Sequence, residues 1–511
     1  MPEHIRSLVV ILFISTIVFA FARKPASQII QSSDFIRRRN LWIALTLVAF
    51  LAQNIWLCFL ITTMLILFTR SRETNPAALY FLLLFILPAG GFQIPAMGLV
   101  NFLFDLSYPR LLALVILLPT YIALVRQKQT VPFGRTTPDK LLIIYIILSI
   151  FLYFRDTTLT NALRQSFYQF TDILLPYYVI SRSLKEIKDF RAALLSLIIA
   201  AMILAAIGIF ESTRNWYQYS ALSDIYDMGV DRRLILRSEF LRARASSDHP
   251  IVLGYIVAIA IGFLLYLQRS ITSSFSRRMA LLLLWVGLLA PLSRGPWIGV
   301  VCIIMVFIAT GKNPVRKLST LFLAGIVAIP LIAIMPGGEK VFNLIPFIGE
   351  TEKRTFDYRV RLYDNSMTVM KRNPWFGSTN FLDTPEMESL GQGKQIVDLV
   401  NSYLEISLAR GFIGVALFIG FFLTICWGIY QGFRRQPDKS SDEYLLGRSL
   451  LATLAGILII IATVSNYSFI PILYWSVAGL GVAYINMMKR FRISQHAVDK
   501  HTVKISSISE G

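Results

Sequence analysis

Residues 281–310 read LLLLWVGLLAPLSRGPWIGVVCIIMVFIAT, an apolar run broken once, at Ser293-Arg294-Gly295-Pro296. A bilayer core takes about 20 apolar residues per helix and offers no partner to a peptide group, so such a run must close its hydrogen bonds internally, as helix. Pro296 and Gly295 interrupt a helix. The run therefore folds as two short helices in a tight hairpin, with Arg294 at its tip.

Working outward, further apolar runs occupy residues 141–153, 173–180, 192–210, 251–267, 318–335, 403–430, 450–464 and 470–487. Residues 41–68 are too long for one span and marginal for two, which leaves the parity of the N-terminal part open. Hydrophobic residues make up 55% of the 511 and charged ones 16%, far from the quarter expected of a soluble domain. The expectation is one integral membrane domain over residues 1–511: an all-α polytopic bundle of about 12–14 transmembrane helices. Ala20-Phe21-Ala22 resembles a signal-peptidase site, but Arg23 and Lys24 follow, and an uncleaved anchor is expected.

The 50 Lys and Arg against 30 Asp and Glu orient the bundle, because short basic loops stay in the cytoplasm. Residues 127–140, 181–191, 269–278, 311–317, 431–448 and the tail from Lys489 carry basic excess and fall on one side. On the other side lie two long, nearly neutral loops, 211–250 and 337–400, the larger just before the last three helices. Both are expected in the periplasm.

Metal and nucleotide chemistry find no support. The four histidines, His4, His249, His496 and His501, form no ligand cluster, and Gly311-Lys312 lacks the preceding glycine of a phosphate loop. Cys58, Cys302 and Cys426 sit within apolar runs as soft hydrophobes. No metal and no cofactor is expected. What remains is arginine beside the membrane: Arg294 at the hairpin tip, and Arg359 with Arg361 in Asp357-Tyr358-Arg359-Val360-Arg361-Leu362-Tyr363. A planar guanidinium suits a phosphate, although an interfacial anchor is the plainer reading of Arg294.

The order of these pieces carries a resemblance. Ser293-Arg294-Gly295-Pro296-Trp297, Arg361-Leu362-Tyr363, Asn373-Pro374-Trp375-Phe376-Gly377, Asn401-Ser402-Tyr403-Leu404-Glu405 and Gly411-Phe412-Ile413-Gly414 together resemble the O-antigen ligase and polymerase superfamily. Asp248-His249-Pro250 is similar to its polymerase-like members. The resemblance implies a multi-pass protein of the bacterial inner membrane and a metal-independent, inverting glycosyltransferase. Its donor would be an undecaprenyl-diphosphate-linked saccharide at the periplasmic face, and a chain-length regulator or other glycan-assembly proteins would be its partners; no nucleic acid is implied. Arginines matching Arg294 and Arg361 would hold the diphosphate, whose charge grows as the glycosidic bond breaks.

Bases within reach of the acceptor hydroxyl are sought among His249, Asp248, Asp398 and Glu405. Arg359, Arg244, Asn401, Tyr403 and Asp248 are expected around the substrate. Where the ligases carry His before the Asn-x-Tyr-Leu motif, Val400 stands, which favours joining oligosaccharide repeats into O-antigen or exopolysaccharide over capping lipid A core. A transporter, which would place ionisable groups near mid-span, and a structural scaffold, which requires no arginine at a helix break, are the competing classes.

Overall fold

The computed structural model describes the chain except residues 97–100, 228–233, 238, 335–352, 392–396 and 510–511, with side chains omitted at 327–334, 353–356 and 493–509. Helices dominate; the described strands form two small hairpins, Gly91–Pro95 with Phe102–Ser107 and Leu236–Arg237 with Phe240–Leu241. Among the described residues eight helices are long and apolar enough to cross a membrane: Glu3–Ala26, Tyr108–Arg126, Thr137–Asp156, Ile187–Arg214, Pro250–Ser270, Ser402–Arg434, Asp442–Ile461 and Phe469–Arg492. Shorter helices fill in between them, including Ile55–Arg70 and the hairpin partners Ser274–Leu289 and Arg294–Ala309.

Helices Ile187–Arg214, Pro250–Leu267 and the first half of Phe469–Ser509 are enclosed on nearly all sides, whereas Glu3–Ala26, Thr137–Asp156 and Ser402–Arg434 bury about a third of their apolar stretch. A helix apolar all round belongs at the centre of a membrane bundle, and the others turn a face to lipid. Close backbone approach locks the centre. Gly299 and Gly456 face each other across the helices Arg294–Ala309 and Asp442–Ile461, and a Cβ on Gly456 would fall 2.3 Å from Ile303 Cγ1. Small residues at such crossings substitute van der Waals contact for the hydrophobic drive that lipid does not supply.

Side-chain bonds sort the helix ends onto two faces. Gln28 Nε2 donates to Thr272 Oγ1 at 2.8 Å, and Arg38 pairs with Glu73, which puts the basic residues 23–39 with the basic segment 269–278. The opposite end of the first helix meets the other loop set: Trp216 Nε1 donates to Glu3 Oε1 at 3.0 Å under a cation–π contact from Arg6. Residues 41–68 fold back on themselves, as Ser32–Leu51 and Ile55–Arg70, and so fix the parity that charge left open. We call the two sides the basic face and the loop face.

Ion pairs anchor the basic face. Arg182 Nη2 donates to Asp139 Oδ2 at 2.6 Å, with side chains only 1% and 0% exposed, and Tyr177 donates to the other carboxylate oxygen at 2.8 Å. Buried charge is tolerated here because each partner neutralises the other.

Candidate functional site

The hairpin breaks where the interrupting residues stand. Helix Ser274–Leu289 ends, Leu292 takes a positive φ of 46°, and Arg294–Ala309 begins after Ser293. A helix end leaves its last carbonyls without intrahelical partners, and here a second segment supplies donors. Ala243 N–H (3.1 Å) and Ser212 Oγ (3.0 Å) donate to the Ala290 carbonyl, Arg242 Nε to Pro291 at 3.1 Å and Arg237 Nη1 to Leu292 at 2.7 Å. Arg242 Nη2 also reaches Ser293 Oγ at 3.3 Å. The bonds that hold the turn therefore place Arg237 and Arg242 beside Arg294, which is itself half-buried. Arg244 is buried, its guanidinium 4.0 Å from the centre of the Tyr217 ring. Its backbone N–H and that of Ala245 donate to Glu211 Oε2 at 2.9 and 2.8 Å, which pins residues 244–245 to the helix Ile187–Arg214.

Asp248 and His249 follow at the start of Pro250–Leu267. Asp248 Oδ2 accepts from Ala89 N–H at 2.9 Å and from Ser468 Oγ at 3.5 Å, clasping two loops. Burial pushes its pKa up to about 6, against the opposing pull of the Ala89 N–H and of Arg244. His249 caps its helix: Nδ1 accepts from Ile251 N–H at 3.2 Å, and the ring packs edge-on to Tyr467 at 5.6 Å. Burial lowers its pKa to about 4, with nearby Arg242 adding to the fall. With Nδ1 accepting, the neutral ring carries its proton on Nε2, so His249 offers the site a donor, and the base role sought for it in the sequence has no free acceptor nitrogen.

The segment 398–405 joins them from the other side. Asp398 Oδ1 accepts from Val400 N–H at 3.2 Å and from the Ser465 hydroxyl, while the Asp398 carbonyl accepts from Tyr358 OH at 2.9 Å. Asn401 caps Ser402–Arg434, its Oδ1 accepting from Tyr403 N–H (2.9 Å) and Leu404 N–H (3.3 Å); Tyr403 OH donates to the Leu458 carbonyl at 2.9 Å. Both groups are committed to holding the helix start. Glu405 Oε2 accepts from Asn466 N–H at 3.1 Å, and its side chain is only partly buried.

Arg294 and Arg361 are linked through residues 463–466 and Asp398. Gly295 lies so close to Thr463 that a Cβ would come within 2.3 Å of Thr463 Oγ1. Ser465, two residues on, binds Asp398, whose carbonyl holds Tyr358, one helical turn before Arg361. Arg359 and Arg361 lie on the helix Lys353–Arg372, both exposed. Two positions apart on a helix they point about 200° from each other, onto different faces.

The sequence reading passed over several of these parts. Arg242 and Arg237 fall within the nearly neutral loop 211–250, where their charge is balanced by acids, and Ser465 and Asn466 carry no signal in the sequence. Arg410 was missed as well: its Nε donates to Ser149 Oγ at 2.7 Å and its guanidinium lies 5.2 Å from the Tyr145 ring centre, next to a break at Gly411. A charged residue beside a glycine within an apolar run is the pattern that would have flagged it. Among the described residues no group of three His, Cys, Asp or Glu side chains is placed to hold a metal ion.

A many-helix membrane protein that gathers arginines, carboxylates and a half-buried histidine at one end of its bundle defines a class: polytopic proteins with a polar site at the membrane surface. The comparisons narrow it. Residues 279–419 match the family model described as O-antigen ligase, so that part of the chain is similar to a family whose members transfer glycans. The match runs from the hairpin through the larger loop into Ser402–Arg434, and with the helical bundle it makes this a multi-pass protein of the bacterial inner membrane. No curated protein matches the chain.

Proposed function

We propose that this protein is a polymerase-type glycosyltransferase that joins undecaprenyl-diphosphate-linked oligosaccharide repeats into O-antigen or exopolysaccharide at the periplasmic face. The observation that carries the reading is the convergence, through residues 463–466, of the Arg294 hairpin tip with the segment bearing Asp398 and Glu405. The loop face is the periplasmic one, since the basic loops lie opposite.

In the reaction the bond between the donor's anomeric carbon and its diphosphate oxygen breaks, and the electron pair leaves on the diphosphate. Arg294 of the hairpin tip and the exposed Arg361 of the larger loop stabilise that growing charge as guanidinium groups do, without a metal. The acceptor hydroxyl attacks the same carbon from the opposite side, which inverts its configuration, and its proton passes to a carboxylate. Glu405 is the base of choice: its second oxygen has no described hydrogen bond and is not enclosed, whereas Asp248 spends Oδ2 on clasping two loops and its Oδ1 is shut away from solvent. His249 Nε2–H orients the acceptor or a phosphate oxygen as a donor.

Val400 argues for polymerase over ligase, because its position before the Asn401 cap supplies a backbone N–H to Asp398 and Ser465 and no titratable side chain. The test is Arg294→Ala in cells, with glycan chain length read on gels and protein level on blots. Loss of long polymer at normal protein level supports the assignment; unchanged polymer defeats it.

A further inference from the structure

On the basic face, away from the site above, a cavity of about 360 Å³ opens between the helices Pro250–Leu267, Ser274–Leu289, Arg294–Ala309 and Asp442–Ile461. Its wall holds four cations from four parts of the chain, Arg269, Arg277, Lys317 and Arg448, and no carboxylate. The nearest acids are engaged elsewhere: Asp442 is paired with Arg191, and Asp438 accepts from Ser440. The floor is apolar, formed by Phe307 and Leu265 among others.

Arg448 is the built element. It is only 8% exposed, its Nε donates to Thr310 Oγ1 at 3.3 Å and its Nη2 to the Phe307 carbonyl, and its guanidinium lies 4.1 Å from the Phe307 ring centre. Its Nη1 has no hydrogen-bond partner among the described residues. Gly311 leaves room for it, since a Cβ there would fall 2.4 Å from Nη2. Fixing a largely buried cation at the wall of a cavity with three more of like sign costs free energy unless an anion completes the set.

We infer that this cavity binds the phosphate headgroup of an anionic phospholipid from the leaflet on the basic face. The shared chemistry is a phosphate oxygen cluster meeting guanidinium forks and an ammonium. A lipid rather than free phosphate is favoured because the helices that carry Arg277 and Lys317 present bare apolar side chains outward: Phe275, Met279 and Leu282 on one, Val315 and Phe322 on the other. Acyl chains would lie along these while the headgroup enters the cavity. Basic pockets between helices at the cytoplasmic boundary are the usual geometry for such binding. Under the orientation proposed above this is the cytoplasmic leaflet, and the bound lipid would tie together the basic ends of the helices whose other end presents Arg294.

The test uses full-length protein, delipidated in detergent, with native mass spectrometry after adding phosphatidylglycerol, cardiolipin or phosphatidylethanolamine, and a separate arm with inorganic phosphate alone. Retention of the anionic lipids over phosphatidylethanolamine is expected. The double variant Arg277→Gln, Lys317→Gln, at exposed or half-exposed positions, should cut anionic-lipid binding about thirtyfold, at roughly a factor of five per cation, with an unchanged melting temperature. Equal retention by the double variant, or equal binding of phosphatidylethanolamine, overturns the inference. Phosphate alone stabilising the protein while the anionic lipids do not would also overturn it. Glycan chain length of the double variant in cells, measured beside Arg294→Ala, keeps this inference separable from the transferase reading, since lipid binding is scored without any activity.

Discussion

Gly411 lies directly against Trp375: a Cβ at position 411 would fall 2.3 Å from both the carbonyl carbon and oxygen of Trp375. Gly411 has φ 61° and ψ −169° within Ser402–Arg434, a backbone state that L side chains avoid. The break frees the Phe412 and Ile413 N–H groups, which donate to the Pro374 and Trp375 carbonyls at 2.8 and 3.2 Å, while Ser378 N–H donates to the Leu408 carbonyl at 2.9 Å. Arg155 Nη2 donates to the Gly377 carbonyl at 2.7 Å and completes the clamp. The Asn373-to-Gly377 motif thus docks the larger loop into a helix break and fixes it over the bundle. Gly411→Ala should therefore cost about 3 kcal/mol or more, from strain and a backbone clash together. A thermal melt in detergent checks this, and a variant melting within a degree of wild type would contradict the docking.

Arg361 and Arg359 should separate sharply. Arg361→Lys keeps the charge but loses the planar fork, and transfer is expected to fall by about tenfold or more. Arg359→Ala should stay close to wild type, because the helix points it elsewhere. Glycan chain length in cells carrying each variant decides between them, and equal effects would place both on the substrate.

Glu405→Gln removes the carboxylate proposed as base while preserving an oxygen for the Asn466 N–H. Chain extension should drop by about 10²–10⁴, the usual worth of a general base, with no loss of folded protein. Retained polymer would shift the base role to Asp398.

His249 and Asp248 give the fold opposite responses to acid. The His249 pKa falls from 6.5 to about 4 on folding, so its contribution is complete above 6.5 and is lost as pH drops toward 4. The Asp248 pKa rises from 3.8 to about 6, so its contribution is complete below 3.8 and is lost as pH rises through 6. In His249→Asn the cap to Ile251 survives while the titration goes. The melting temperature of this variant relative to wild type should increase steadily from pH 6.5 to pH 4.5; parallel curves would refute the assignment.

Asp139→Ala strands Arg182 in a buried setting. A loss of about 3–5 kcal/mol is expected, seen as a lower melting temperature and less protein in the membrane. Survival at wild-type stability would mean that water reaches the pair.

Much was written in the linear chain. Apolar run length determined an all-helical membrane bundle, and the Gly295-Pro296 interruption marked the hairpin, because the bilayer permits few alternatives and a missing N–H breaks a helix wherever it falls. The distribution of Lys and Arg separated the two faces after residue 141, but the N-terminal parity needed the Gln28–Thr272 and Glu3–Trp216 contacts, which join residues more than 200 positions apart.

The site was legible only as a set of residue types. Arg294, Arg361, Asp248, His249 and Glu405 stood out because charge near an apolar run is costly and therefore noticed. Their hydrogen-bond partners came from the tertiary structure. Asn401 and Tyr403, conspicuous in the motif, spend their polar groups on a helix cap and on the Leu458 carbonyl; His249 gives its Nδ1 to Ile251; Arg237 and Arg242 hold the hairpin turn. A hydrogen bond between distant segments has no signature in local sequence, so composition decided what kind of protein this is, and packing decided which of its polar atoms remain to meet a substrate.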